Sequence, residues 1–193
     1  MPVTINGSGS IAGLSVGGLP NGTVDADTLA SNAVTTVKIA SGAVSASTLP
    51  AGSVLQVVTS ATTSQVIWSS GWTDTGLTAN ITPQFANSKI IMTVYAQTHI
   101  YGTHDHGVGY KFLRGSTAIM TTATNKWQYF YDGGNEYQER GGSVLSFEDT
   151  SHNSTSALTY KLQFNSYRGD NSNAVKFCCD SSRASMQLME VKA

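Results

Sequence analysis

Charge is what this chain has least of. Asp, Glu, Lys and Arg make up 12% of its 193 residues and nearly cancel, leaving a net charge of −1. That is about half the usual charged share. A chain so weakly charged has no bulk attraction for nucleic acid or anionic lipid, so neither is expected as a partner. Long apolar runs are also lacking; none approaches the length of a membrane span, and membrane insertion is not expected. The first twenty residues hold no Lys or Arg and no continuous apolar core, unlike a secretory signal. Cysteine is confined to the neighbours Cys178 and Cys179. A bond between adjacent cysteines is strained, so both are read as free thiols, compatible with synthesis in a reducing cytoplasm. No second cysteine pair or suitably spaced His completes a zinc site. Aromatic side chains are missing from the first third; all 17 lie at or beyond Trp68, and charge before that point is limited to Asp25, Asp27 and Lys38.

What fills the space is hydroxyl. The chain has 24 Ser, 23 Thr and 19 Gly, and 40% of its residues are hydrophobic. This composition favours β-structure with many turns and is too apolar for disorder. The shift at the first aromatic residues divides the chain into a plain N-terminal arm, 1–52, and a body, 53–193.

The arm repeats every ten residues. Residues 13–22, 23–32, 33–42 and 43–52 read GLSVGGLPNG, TVDADTLASN, AVTTVKIASG and AVSASTLPAG. The second column is Leu14, Val24, Val34 and Val44; the seventh is Leu19, Leu29, Ile39 and Leu49; the tenth is Gly22, Asn32, Gly42 and Gly52. A spacing of five matches neither a helix, where successive anchors would stand about 140° apart, nor a strand, where they would alternate faces. Short extended or single-turn pieces joined at Gly or Asn, residues that accept positive φ, fit it better. Eight aliphatic anchors among small side chains bury too little to offset the entropy of ordering such an arm alone. It is expected to order against sibling chains or a host protein.

The body alternates. In SKIIMTVYAQTHI one face carries Ile90, Met92, Val94, Ala96 and Ile100, and the other Lys89, Thr93, Gln97 and His99. In ALTYKLQFNSY, Leu158, Tyr160, Leu162 and Phe164 oppose Thr159, Lys161, Gln163 and Asn165. Further strands are expected over 54–59, 65–69, 78–82, 108–114, 117–121, 127–131, 143–149, 174–179 and 184–191, with turn residues between them and no helical spacing anywhere. The fold class is therefore all-β: an antiparallel, jelly-roll-like β-sandwich head preceded by an extended repeat arm. SMQLMEV is apolar on both faces (Met186 and Leu188 against Met189 and Val191), which suits an oligomer.

Arm and body together resemble virion appendage proteins of tailed bacteriophages, especially small fibre-like proteins of marine and cyanobacterial phages. The resemblance rests on MPVTINGSGSIAGLSVGGLPNG, AVTTVKIASGAV, LPAGSVLQVV, WTDTGLTANITPQFANSKIIMTV and SMQLMEVKA, and spans nearly the whole chain. It implies a homotrimer on the virion surface, made in the host cytoplasm, with an N-terminal virion-attachment segment and a C-terminal β head. The expected partners are further copies of the chain and other virion proteins of capsid or tail. The expected function is structural: a fibre or spike docked by its arm, displaying a head for host attachment. Two alternatives are a capsid decoration or cement protein and a carbohydrate-binding receptor module.

Three constellations invite chemistry. In YGTHDHGVGY, His104 and His106 would point to one side of an extended segment, and three such pairs about a threefold axis would offer six nitrogens to a transition metal. The competing reading is a polar hairpin loop, and no cofactor is expected. In KWQYFYDGGNEYQER, Trp127, Tyr129 and Tyr131 would share a face, either stacking on a host surface glycan with Asp132, Asn135 and Glu136 as polar contacts, or packing in a core or subunit interface. Asp132, Glu136 and Glu139 supply the carboxylates a glycosidase needs, but acids beside DGG are ordinarily turn residues. Val175, Phe177 and Cys179 are expected to share a core face, with Cys178 outward. The chain has no Walker loop, dinucleotide fingerprint or nucleophile elbow, and a non-enzymatic role is expected.

Overall fold

The computed structural model describes residues 4–5, 11–12, 24, 27, 29–102, 105–123, 127–131, 137–168 and 175–193. The chain divides into two compact units, Met1–Ser45 and Ala46–Ala193. The break lies inside the last repeat because Lys192 fastens the residues that follow it. Its ammonium donates to Ser47 O at 2.8 Å and Ala46 O at 3.1 Å, and also to Leu49 O. Main-chain bonds from Gly52 N to Lys192 O and from Lys192 N to Ser53 O continue the attachment.

In the first unit, β1 (Thr4–Ile5) and β2 (Ile11–Ala12) pair antiparallel. The repeat then appears as backbone. Ala33 N donates to Ala30 O and Ala43 N to Ala40 O, each at 2.9 Å, closing turns ten residues apart. Their third residues, Asn32 and Gly42, have φ of 62° and 78°. That is where a type II turn requires Gly or Asn. Between them a single 3-10 turn spans Thr36–Lys38. In the second unit, Ser53 N bonds Pro50 O with Gly52 at φ 84°, the same local shape another ten residues on. The period of five is thus a turn every half-repeat. Leu14 and Leu19 lie outside the described residues. Val24, Leu29, Val34, Ile39 and Val44 are 45–66% exposed. Leu49, in the second unit, is half-buried.

The second unit is a sandwich of eleven described strands. They are β3 (Val54–Thr62), β4 (Val66–Ile67), β5 (Thr73–Ile81), β6 (Lys89–Gly102), β7 (His106–Arg114), β8 (Thr117–Thr121), β9 (Gln128–Phe130), β10 (Tyr137–Asp149), β11 (Leu158–Ser166), β12 (Val175–Phe177) and β13 (Ala184–Val191). The large sheet has β6 at its centre. β10 runs along one edge of β6, while β13 and then β12 share the other; β3 lies beyond β13 and β4 beyond β12. The small sheet runs β5-β11-β7, with β8 and β9 sharing the far edge of β7. Numbering only the eight principal strands in chain order, the sheets read 1-8-3-6 and 2-7-4-5, the two interlocked Greek keys of a jelly roll. Every pairing is antiparallel.

Alternation places the core. Ile90, Met92, Val94, Ala96 and Ile100 of β6 face Tyr160, Leu162 and Phe164 of β11 and Tyr110 and Phe112 of β7 in one buried cluster. Strands β8 and β13 have the bounds their alternation predicts. Strands β3 and β7 run two or three residues beyond the expected bounds, and β5 and β10 run further still, each through glycines. β5 starts at Thr73 rather than 78 because Gly76, at φ 75°, takes up a register shift against β11. β10 starts at Tyr137 rather than 143 because Gly141 and Gly142 belong to the strand. A Cβ on Gly142 would lie 2.6 Å from the Tyr95 hydroxyl, so the glycine makes room for a ring.

The cysteines correct another expectation. They do not alternate on a strand, because β12 ends at Phe177. Cys178 turns left-handed at φ 51°, Cys179 opens a 3-10 turn, and both side chains are buried. Both thiols are free.

Candidate functional site

Two kinds of polar arrangement stand out, and only one faces solvent. The internal kind clasps the sandwich. Asp149, at the end of β10, accepts from Arg114 of β7 at 2.6 and 2.9 Å, from the Tyr160 hydroxyl of β11 at 2.8 Å and from Ser151 N at 3.0 Å. Burial pushes its carboxyl up, but the Ser151 amide, the Tyr160 hydroxyl and the Arg114 guanidinium outweigh that and hold it below the usual carboxylate value. Glu190, fully buried on β13, accepts from Gln56 Nε2 at 2.6 Å, Ser88 Oγ at 2.7 Å, Gln84 N at 2.8 Å and Phe85 N at 3.3 Å. His152 adds an imidazole contact to Ser88 O at 2.7 Å. Each oxygen is taken up by structure, so these groups have nothing left to offer a substrate.

The solvent-facing arrangement gathers around the start of β7. Strand β9 pairs with β7 so that Tyr129 stands opposite Gly107. Tyr167 lies beside the same segment through its amide bond to Gly107 O at 2.9 Å. The two rings meet edge to face, with centroids 5.7 Å apart and planes at 76°. The Tyr129 hydroxyl donates to Asp105 Oδ2 at 2.7 Å, and the Arg168 guanidinium pairs with Asp105 Oδ1. The Tyr129 bond, supported by the Arg168 charge, holds the Asp105 carboxyl below its ordinary value. The same bond pushes the Tyr129 phenol up to about 12. Trp127 sets its edge against the buried Tyr110 ring at 6.4 Å, and Tyr131 is 79% exposed.

The expected aromatic trio thus divides its contacts. Trp127, Tyr129 and Tyr131 are all exposed in the single chain, so none is a core residue. Gln128, the residue between the first two, turns inward and accepts from Thr98 Oγ1 at 2.9 Å. Asp132, Asn135 and Glu136 lie outside the described residues, and Glu139 sits in β10. Sequence reasoning missed Asp105, Tyr167 and Arg168 as neighbours of the trio. Their separation along the chain hides them, and it takes the pairing of both β9 and β11 with β7 to bring them together. Chemically the cluster offers two ring faces at right angles beside a carboxylate oriented by two donors.

Of the histidine pair, His104 lies outside the described residues. His106 sits in β7 rather than in a hairpin loop, and it is 2% exposed. Its ring lies where a Cβ on Gly102 would be, 1.7 Å from Nε2, so Gly102 exists to admit it. Among the described residues no group of three or more His, Cys, Asp or Glu is placed to hold a metal.

No protein-family model matches the chain, and no curated protein matches it. Among solved structures it is similar to the crystal structure of the infectious bursal disease virus VP2 subviral particle. That match has 14% identity and a TM-score of 0.39 over 71% of this chain and 32% of that one. A structure of the Gx strain of the same virus gives 11% identity and a TM-score of 0.41 over 72% and 33%. Dimeric latent PorU from Porphyromonas gingivalis gives 8% identity and a TM-score of 0.26 over 74% and 13%. The chain spans about a third of the length of the viral chains it matches. Scores this low bear on neither function nor assembly.

Proposed function

We propose that the chain is a structural, non-enzymatic protein of a tailed-phage particle: a homotrimeric fibre or spike that docks through its arm and displays a jelly-roll head. The observation that carries this reading is the arm. It has a regular turn every half-repeat, yet its described anchors from Val24 to Val44 leave much of their aliphatic surface in water. A chain that keeps a strict apolar period without burying it supports a missing partner surface. Trimerisation would multiply three weak dockings into one firm attachment through effective concentration. Substituting Val34, Ile39 and Val44 together by Asp in the full-length chain tests the idea. The variant should fold and melt like the parent but be absent from purified particles. Normal incorporation would remove the docking role.

A capsid decoration or cement protein would use the same arm, and the protein's position in an image of the intact particle separates the two. Sparse density at the tail fits a fibre, and coverage of the whole shell fits a cement. The exposed cluster at Tyr129 and Tyr167 favours a further role for the head. Sugar rings stack their C–H faces on aromatic rings, and a carboxylate such as Asp105 accepts their hydroxyl protons. Contact with a host surface glycan at this cluster should be lost in Trp127→Ala and Tyr129→Ala on a glycan array. Unchanged binding in both would remove the sugar reading.

A further inference from the structure

The two outer faces of the sandwich differ in kind. On the small sheet the outward positions include Asp74, Lys111 and Lys161, and Gln163 Nε2 donates to Asp74 Oδ1 at 2.9 Å, the pattern of a solvated face. On the large sheet, Ala61, Ser185, Tyr95 and Val144 form one row straight across β3, β13, β6 and β10. The next row is Thr59, Gln187, Thr93 and Ser146. Neither row contains a charge. Tyr95 and Val144 are 45% and 62% exposed, and a groove of about 730 Å³ runs between them and β3. Charges stand at the margins: the Lys89–Glu148 pair at 3.1 Å, the Arg140–Asp180 pair, and Arg183, which precedes β13 and lines one end of the groove.

This face continues into an open edge. β10 pairs with β6 in unbroken register from Tyr137 opposite Gly102 to Asp149 opposite Ile90, thirteen residues without a bulge or proline. From Gly141 to Phe147 it carries no charge. Among the described residues no other strand pairs with it. Natural sheets blunt edges of this sort with lysine, proline, bulges or a covering loop, because an unblunted one templates pairing with another chain.

We propose that this flank of the large sheet, the β10 edge together with the face around Tyr95, Val144 and Gln187, is where a second copy of the chain docks. The inference rests on the homo-oligomeric part of the reading above and names its surface. A copy is the fitting occupant because the uncharged β10 run of one chain and the uncharged rows of the next meet without burying an unpaired charge, Arg183 lying at the margin, and a contact of edge on face can repeat around a threefold axis. Area agrees. Four strands about 4.8 Å apart and eight residues deep present roughly 500 Å². Two copies therefore reach about 1,000 Å², the lower bound of a specific interface.

The test is sedimentation velocity of the full-length chain at micromolar concentration, with Val144→Lys, Gln187→Lys and, on the small sheet's outer face, Asn80→Lys. The parent and Asn80→Lys should sediment as the same oligomer. Val144→Lys and Gln187→Lys should shift to monomer, an affinity loss of at least about 100-fold. An oligomer that persists in either large-sheet variant overturns the surface while leaving self-association standing. A monomeric parent overturns both. Equal loss in Asn80→Lys also overturns it, since the effect would then belong to added charge alone. Hydrogen exchange of the parent is independent of any variant's folding: within 141–147 the alternate amides that point away from β6 should be protected, and exchange of those amides at unstructured rates sinks the proposal.

Discussion

Glu190 shows how a carboxylate comes to sit inside an apolar sandwich. It stands on the inward phase of β13, after Met186 and Leu188, and two side-chain and two main-chain donors surround it. Three of the four belong to the 84–88 segment entering β6, so the acid fixes where that strand begins. Glu190→Ala leaves those donors buried and should cost about 2–4 kcal/mol in urea unfolding, with Glu190→Gln costing less. Gly102 works the opposite way, by absence. Any Cβ there meets the His106 ring, and Gly102→Ala should destabilise the fold by about 1–3 kcal/mol in the same assay.

Two titrations should also be visible. Asp149 has a folded-state value below its unfolded one, so its stabilisation is complete above about pH 4 and lost as pH falls through the lower folded value. Asp149→Asn should flatten that acid limb. His99 is lowered by burial and then by the Arg140 and Lys176 charges on the strands either side, with Asp180 partly opposing them. The folded ring resists a proton that the unfolded chain accepts. Stability should therefore be level above about pH 6.5 and decline below it, and His99→Gln should remove that slope from urea midpoints measured between about pH 5 and 8.

Between residues and the whole, the elements show which signals a linear reading can carry. Alternation is local, so β8 and β13 could be bounded to the residue and the inward set of β6 named in advance. Glycine is ambiguous without its neighbours. The pair Gly141–Gly142 suggests a turn until Tyr95, on another strand, is seen lying over it. Cys178 carries no mark of its left-handed backbone, which comes from the chain leaving β12. Glu190 was partly legible, since its phase in SMQLMEV points inward, but its donors lie over a hundred residues away. Asp105, Tyr167 and Arg168 are hidden in the same way at shorter range, Asp105 standing 24 residues from Tyr129. The clamp of Lys192 on the main chain at 46–49 is a further long-range contact, and its removal should be local. Lys192→Ala should speed hydrogen exchange over 46–53 while lowering the global unfolding free energy by only about 1–2 kcal/mol.

At the scale of the molecule, one chain joins two solutions to stability. The jelly roll buries its own interior and leaves an uncharged run, 141–147, along one open edge. The described stretch of the arm over 29–45 has a local shape set by small residues and by Asn32 and Gly42 ten residues apart. Its described turns each close between residues three apart, at 30–33, 35–38 and 40–43, and so need no distant strand to define them. The arm is therefore a ruler graduated in decades. Excising 33–42, or duplicating it, changes its length by one division and leaves every other graduation in phase, a currency in which lineages can trade reach without reopening the architecture beyond it.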